Sequence, residues 1–89
     1  MLKEKALNFG NLRCIVYDFE RDNDVLAAHI HEESTTHITI CCKGKVLVKT
    51  AAWEKVLEAG NIIEFFAGQQ HSIHSLEHNS RIINIPKHC

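Results

Sequence analysis

Short runs of β-forming residues alternate with turn-forming residues along this chain. Their spacing is roughly the 8 to 12 residues that is typical of an all-β sandwich or barrel. Clusters such as Arg21-Asp22-Asn23-Asp24, Lys43-Gly44 and Gly60-Asn61 separate the runs. The eight predicted strands are Leu12–Asp18, Val25–His31, Thr36–Cys42, Lys45–Thr50, Trp53–Leu57, Ile62–Phe66, His71–Leu76 and Arg81–Ile85. Only Leu2–Phe9 is expected to form a helical turn.

Two of these runs differ in the burial that they predict. Alternation from Lys45 to Lys49 is typical of a half-buried strand, whereas the apolar pairs Ile62-Ile63 and Phe65-Phe66 predict burial on both faces. Eight short antiparallel strands satisfy their edges best as a double-sheet jelly roll. We therefore predict an all-β, single-domain antiparallel barrel.

The length of 89 residues allows one domain, predicted over residues 1–89 with a core of about 12–86. A barrel this small has little side-chain volume to spare, so a second copy is expected to cover an exposed sheet face. Oligomerisation commonly stabilises small domains, and a homodimer is the commonest closed form. We expect a homodimer.

Charge and hydropathy exclude several classes of partner. Ten basic and eleven acidic residues leave a net charge of −1, without a basic run. Nucleic-acid binding therefore has no electrostatic footprint. The apolar runs are far shorter than the ~20 residues of a membrane helix, and no signal-peptide pattern is present. We expect a cytoplasmic protein whose four cysteines are reduced thiols.

Four histidines have a spacing that suits one metal ion. Residues two apart on a strand share a face, about 6.6 Å from each other, so His29 and His31 can bind the same ion. The polar segment Glu32–Thr35 predicts a turn that returns His37 beside them. His71 opens a strand after the bend at Gly68. The predicted metal ligands are His29, His31, His37 and His71.

Other residues near this set have competing interpretations. Cys41 shares a face with His37, and core packing is favoured over metal ligation. Glu33 is an alternative to His37 as a ligand, and Glu64 is either exposed or orients an imidazole. His74 is predicted to face away from His71. His78 and His88 are assigned to solvent. The core or an interface is expected for the aromatic residues Trp53, Phe65 and Phe66.

Two segments of this sequence resemble the two motifs of the cupin superfamily. His29, His31 and Gly44 match the first motif, with His37 at the position of its glutamate ligand. Gly60, Gly68 and His71 match the second. The departures are Asn23 and Phe66 in place of glycine and proline, Ser75 in place of asparagine, and one additional residue before His37. The chain also resembles small single-domain cupins encoded by bacteriophages.

This resemblance implies a cupin barrel that binds a divalent transition metal, namely Fe, Zn, Mn, Ni or Cu. An all-histidine set adds no negative charge, so the ion attracts anionic ligands. Similar glutamate-free sites in cupin-like dioxygenases imply an oxygenase, or an isomerase-like enzyme, acting on a small anionic molecule. The alternative is a non-catalytic module that binds a small ligand or a metal. A four-coordinate zinc would instead be structural, with no position left for substrate.

Overall fold

The computed structural model describes residues 2–29, 35–65 and 70–88, and the side chains of residues 2–26, 36–65 and 70–86. Nine strands and no helix form in these residues. They are β1 (Leu2–Phe9), β2 (Leu12–Phe19), β3 (Val25–His29), β4 (Thr35–Lys43), β5 (Lys45–Thr50), β6 (Glu54–Glu58), β7 (Ile62–Phe65), β8 (His71–Ser75) and β9 (Ser80–His88). The predicted all-β class is confirmed.

The expected helical turn at Leu2–Phe9 is wrong. This segment is strand β1, which pairs with β2 from Leu2 opposite Phe19 to Phe9 opposite Leu12. The two-residue loop Gly10-Asn11 joins them, and Gly10 has a φ of +61°. A tight hairpin with a glycine in the left-handed region fixes the register, and pairing along eight residues outweighs local helix propensity.

The strands form two antiparallel sheets that face each other. The five-stranded sheet has the order β1-β2-β9-β4-β7, and the four-stranded sheet has the order β3-β8-β5-β6. Buried side chains of both sheets form the core between them: Tyr17, Phe19, Cys41, Val46, Val48, Leu57, Phe65, Ile73 and Ile82. This is the predicted jelly roll, with alternate residues of each strand facing inward.

Burial along the strands agrees with one expectation and contradicts another. Strand β5 alternates, with Val46 and Val48 fully buried, as predicted for a half-buried strand. Burial on both faces of β7 is wrong, because Ile62 is 60% exposed and Glu64 is exposed. Strand β7 is the edge of its sheet, so its outward face meets solvent.

Residues in the left-handed region shape the turns between strands. Gly44 has a φ of +75°, and a Cβ there would lie 3.0 Å from Cα and Cβ of Ser80. Only glycine satisfies both the conformation and this close approach. Asn23, which replaces the first glycine of the cupin motif, has a φ of +74°. Asparagine tolerates this conformation better than other residues with a side chain, so the substitution retains the turn.

Candidate metal centre

His71 lies at one end of the barrel and faces its interior. It begins β8, whose alternating burial places His71, Ile73 and Ser75 on the inner face. Only 1% of the His71 surface is exposed, and its Nε2 atom is buried. Its register partners are His29 on β3 and Thr50 on β5. Two of the predicted ligands, His29 and His71, are therefore opposite each other in the four-stranded sheet.

His37 lies on the facing five-stranded sheet and is also directed inward. It is 9% exposed, and it shares the inner face of β4 with the fully buried Thr39 and Cys41. Its register partners are Phe65 on β7 and Pro86 on β9. The predicted shared face of His37 and Cys41 is confirmed.

A stack of three aromatic rings joins the two sheets at this end. The Phe65 and His71 rings are nearly parallel, at 5°, with centroids 3.8 Å apart. The Phe65 ring also stacks on the Trp53 ring, with centroids 6.2 Å apart and an interplanar angle of 7°. Because Phe65 is also the register partner of His37, this ring connects His37 on one sheet with His71 on the other. The structure thus brings two predicted ligands to the same end of the barrel.

The remaining predicted ligands are only partly described. The backbone of His29 is placed opposite His71, whereas its side chain, His31 and the alternative ligand Glu33 lie outside the described residues. Among the described side chains, no group of three or more histidine, cysteine, aspartate or glutamate residues converges. The four-histidine site therefore stays a prediction, with His37, His71 and the backbone of His29 in positions that suit it.

Imidazoles on three strands are a suitable donor set for a transition metal. Neutral imidazole nitrogen binds zinc, iron, nickel and copper, so these residues fit a divalent transition metal. No aspartate or glutamate is among the buried polar residues that the structure describes, which are His37, Thr39, His71, Ser75, Ser80 and Asn84. A site built from these side chains supplies no negative charge to an ion.

Deeper in the barrel lies a polar pair that the sequence reasoning missed. The Thr39 hydroxyl donates a hydrogen bond of 2.6 Å to the Asn84 amide oxygen, and both residues are buried. They are register partners on β4 and β9. The signal was available, because Thr39 has the strand parity of His37 and Asn84 interrupts an aliphatic run from Ile82 to Ile85. Its position makes the interior polar beyond the histidines.

A cleft of about 310 Å³ lies beside His71. Lys49, Thr50, Gln70 and Ser72 line it together with His71. The Lys49 ammonium is 3.9 Å from a carboxylate oxygen of Glu54, and the lysine side chain is 44% exposed. The lysine of this cleft is therefore ion-paired with Glu54.

Several alternatives are resolved by the side-chain positions. Glu64 is paired with Ile38 on the outer face of the sheet, so its proposed role in orienting an imidazole is wrong and its exposure is confirmed. His74 faces away from His71, with its Nε2 atom 3.0 Å from the Ser72 hydroxyl. His78 is exposed, 3.6 Å from Asp22. Phe65 is core and Trp53 packs against it, as predicted. Phe66 and the side chain of His88 lie outside the described residues.

Burial raises the pKa of the Cys41 and Cys42 thiols, so neither is activated. Cys14, Cys41 and Cys42 are free, in agreement with the prediction of reduced thiols. The Cys41 Sγ atom lies 3.7 Å from the Lys43 carbonyl oxygen. Core packing of Cys41 is confirmed. Burial likewise raises the pKa of Tyr17, a second inward-facing group.

The fold can be compared with solved structures. No family model and no curated protein matches the sequence. The structure matches KdgF from Halomonas sp. at 20% identity and a TM-score of 0.83, over 96% of this chain and 76% of that one. It also matches a predicted oxalate decarboxylase from Thermotoga maritima at 14% identity and a TM-score of 0.85, over 99% of this chain and 81% of that one.

A third match is a cupin domain of an XRE family transcriptional regulator from Enterobacter cloacae. The identity is 11% and the TM-score 0.85, over 99% of this chain and 97% of the regulator's domain. At these identities the likeness concerns the fold alone, and it confirms the cupin jelly roll expected from the two motifs. Within the described residues, no helix is long and apolar enough to cross a membrane.

Proposed function

We propose that this small cupin-fold chain binds one divalent transition metal through His29, His31, His37 and His71 and presents it to a small anionic molecule. The observation that carries the proposal is the placement of His37 and His71. They are buried on facing sheets: Phe65 is the register partner of His37 and its ring stacks on His71, and His29 is opposite His71.

Charge supports an anionic ligand. The four proposed ligands are imidazoles, which are neutral when they bind a metal, so they leave a divalent ion its full charge. The cleft volume of about 310 Å³ suits a small molecule.

Two enzyme classes use such a site, an oxygenase and an isomerase-like enzyme. An isomerase needs a proton acceptor at its reacting carbon, and the described inward-facing residues offer none besides imidazoles, since burial raises the pKa of both Tyr17 and Cys41. A bound ion of the Fe, Zn, Mn, Ni or Cu class would itself supply Lewis acidity. The chain's residues hold it, exclude water and admit the anion. A non-catalytic binding module uses the same residues without turnover.

Metal analysis of protein purified without an affinity tag or chelator tests the site. We expect one ion per wild-type chain and a loss of metal in His71→Ala. His74→Ala is the matched control, because His74 lies on the same strand and faces away from the barrel interior. Circular dichroism shows whether both variants retain the β fold. Equal metal content in the two folded variants would refute the site.

Oxygen uptake separates the two functions once the site is loaded. The protein is reconstituted with ferrous iron, and thiols, diketones and 2-oxo acids are added in turn. Oxygen uptake with turnover supports the oxygenase, whereas a change in the electronic spectrum without turnover supports the binding module. An ion whose spectrum no anion perturbs refutes both.

The outer face of the five-stranded sheet supports the expected homodimer. A row of aliphatic residues crosses four strands in register, since Val16 is opposite Ile83, Ile83 is opposite Ile40, and Ile40 is opposite Ile62. Phe9 and Leu12, on the same face, are 63% and 47% exposed. Faces of this kind mark interaction sites in soluble proteins.

Charge at the two edges of this face favours a second copy as the partner. Lys5 on β1 and Glu64 on β7 lie at opposite edges and both point outward. A two-fold axis parallel to the strands places β1 of one copy opposite β7 of the other. This brings the lysine of one chain towards the glutamate of its partner. We propose a homodimer across this face, in a cytoplasmic protein whose described cysteines are free.

Light scattering coupled to size-exclusion chromatography measures the oligomeric state. We expect wild-type protein to elute as a dimer and Ile40→Lys as a monomer. Leu47→Lys is the control, since Leu47 is a half-buried residue on the outer face of the other sheet. A dimeric Ile40→Lys variant would contradict this interface.

A further inference from the structure

A second cleft, of about 680 Å³, lies away from the predicted metal ligands and has His78 in its lining. It is formed on the outer face of the five-stranded sheet, where β2 ends, β9 begins and β4 ends, together with the start of β1. The aliphatic row proposed for the homodimer lies on the same face, so a ligand in this cleft competes with the partner copy. Lys3, Arg21, Lys43 and Arg81 contribute four positive charges to its lining, and Asp18 and Glu20 contribute two negative charges. The chain as a whole has a net charge of −1, so this cleft is a local excess of positive charge.

Polar contacts between the strands hold the walls of this cleft in place. Arg81 donates to both carboxylate oxygens of Asp18, at 2.7 and 3.3 Å. Lys3 lies 2.8 Å from Glu20, whose backbone carbonyl accepts a hydrogen bond from the Asn79 amide. Next to the lining residues Lys43 and Arg81, the backbone amide of Lys45 donates to the Ser80 hydroxyl. The cleft is therefore pre-organised rather than assembled by a ligand.

Two cations of the lining are not used in these contacts. Among the described side chains, neither Arg21 nor Lys43 has a carboxylate oxygen within 4.0 Å. The backbone of Arg21 forms a turn with Asp24, which fixes the position from which its side chain extends. Lys43 is the register partner of Arg81. One lysine and one arginine are thus held at the cleft with their charge uncompensated.

We propose that this cleft binds the phosphate group of a small phosphate monoester. The uncompensated charge of two matches the ~1.5 to 2 negative charges of a phosphate monoester at neutral pH. Guanidinium and ammonium groups are the side chains that bind phosphate oxygens most strongly. A cleft of about 680 Å³ is much larger than phosphate alone, so an organic group is accommodated beside it.

Nuclear magnetic resonance titration with inorganic phosphate and with glycerol 3-phosphate, at constant ionic strength, tests this proposal. We expect saturable shifts of the backbone amide resonances of Arg21, Lys43 and Asn79. Glycerol 3-phosphate should bind at least as tightly as phosphate. Acetate, a single carboxylate, should bind more weakly at these residues.

Charge-removing variants identify the groups responsible. Arg21→Gln and Lys43→Gln should each weaken phosphate binding about threefold, and the double variant about tenfold, as expected for partly exposed charge pairs. Neither side chain takes part in an ion pair of the described residues, so both variants should fold. Lys55→Gln, on the exposed strand β6, is the control and should bind as wild type does. Wild-type affinity in the double variant, or acetate binding that equals phosphate binding, would overturn the proposal.

Discussion

Replacement of Phe65 by leucine tests whether the three-ring stack stabilises the histidine end of the barrel. Phe65 is fully buried and stacks on both His71 and Trp53. Each stacked pair contributes about 0.5 to 1.5 kcal/mol beyond area burial. A residual cavity of ~25 Å³ would add about 0.6 kcal/mol. We therefore expect Phe65→Leu to lower the free energy of unfolding by about 2 to 4 kcal/mol beyond the transfer free energy of the removed atoms.

Urea unfolding followed by circular dichroism, at a fixed protein concentration, measures this loss. Phe19→Leu is the control, because Phe19 is also fully buried but forms no ring stack with described residues. Phe19→Leu should lower the free energy of unfolding by about 1 kcal/mol or less beyond the transfer free energy of the removed atoms, because only the cavity term applies. Equal losses in the two variants would refute a specific contribution of the stack. A Trp53→Leu and Phe65→Leu double-mutant cycle with a coupling energy near zero would refute it for the Trp53 pair.

Three further changes test other features of the fold. Gly44→Ala should lower the free energy of unfolding by about 2 kcal/mol or more, because a φ of +75° disfavours alanine and the added Cβ would overlap Ser80. A Cβ at Gly10 would meet no atom within 4 Å. Equal melting temperatures for Gly44→Ala and Gly10→Ala would contradict a contribution of the overlap. Thr39→Val should cost about 1 to 3 kcal/mol in urea unfolding because Asn84 loses its buried donor, and Thr39→Val combined with Asn84→Leu should cost less than the sum of the two single changes. Lys3 lowers the pKa of Glu20 in the folded protein, so the Glu20 carboxylate contributes stability above its unfolded pKa. This stability is lost as the pH falls through the folded pKa. Lys3→Ala should therefore move acid unfolding to higher pH, and an unchanged pH of acid unfolding would contradict this.

Strand positions and the inward side of each strand were predictable because their signals are local. Alternation along Lys45–Lys49 and the parity of His37 with Cys41 follow from the two-residue period of a strand, and turn residues set the ends. Strand β1 was not predicted, since its burial pattern is almost uniformly exposed and carries no periodic signal. The information lay instead in the glycine of the Gly10-Asn11 turn.

Features that depend on tertiary position were less accessible. An apolar pair such as Ile62-Ile63 does not reveal whether its strand is central or at an edge, and here the edge position exposes Ile62. Likewise the sequence separation of Lys3, Arg21, Lys43 and Arg81 conceals that the five-stranded sheet brings them to one cleft. The histidine set was recognisable because motif spacing reflects pairing between strands, but the ring that connects His37 with His71 was assigned only to the core or an interface.

The chain of rings that ends at His71 also gives the protein an intrinsic optical probe. Trp53 is the one tryptophan in the sequence, and its ring is separated from the His71 imidazole by a single phenyl group. Its emission therefore arises next to the proposed site and from nowhere else. A paramagnetic ion or an arriving anion would alter that emission, so stopped-flow fluorescence can time each binding step in unlabelled protein.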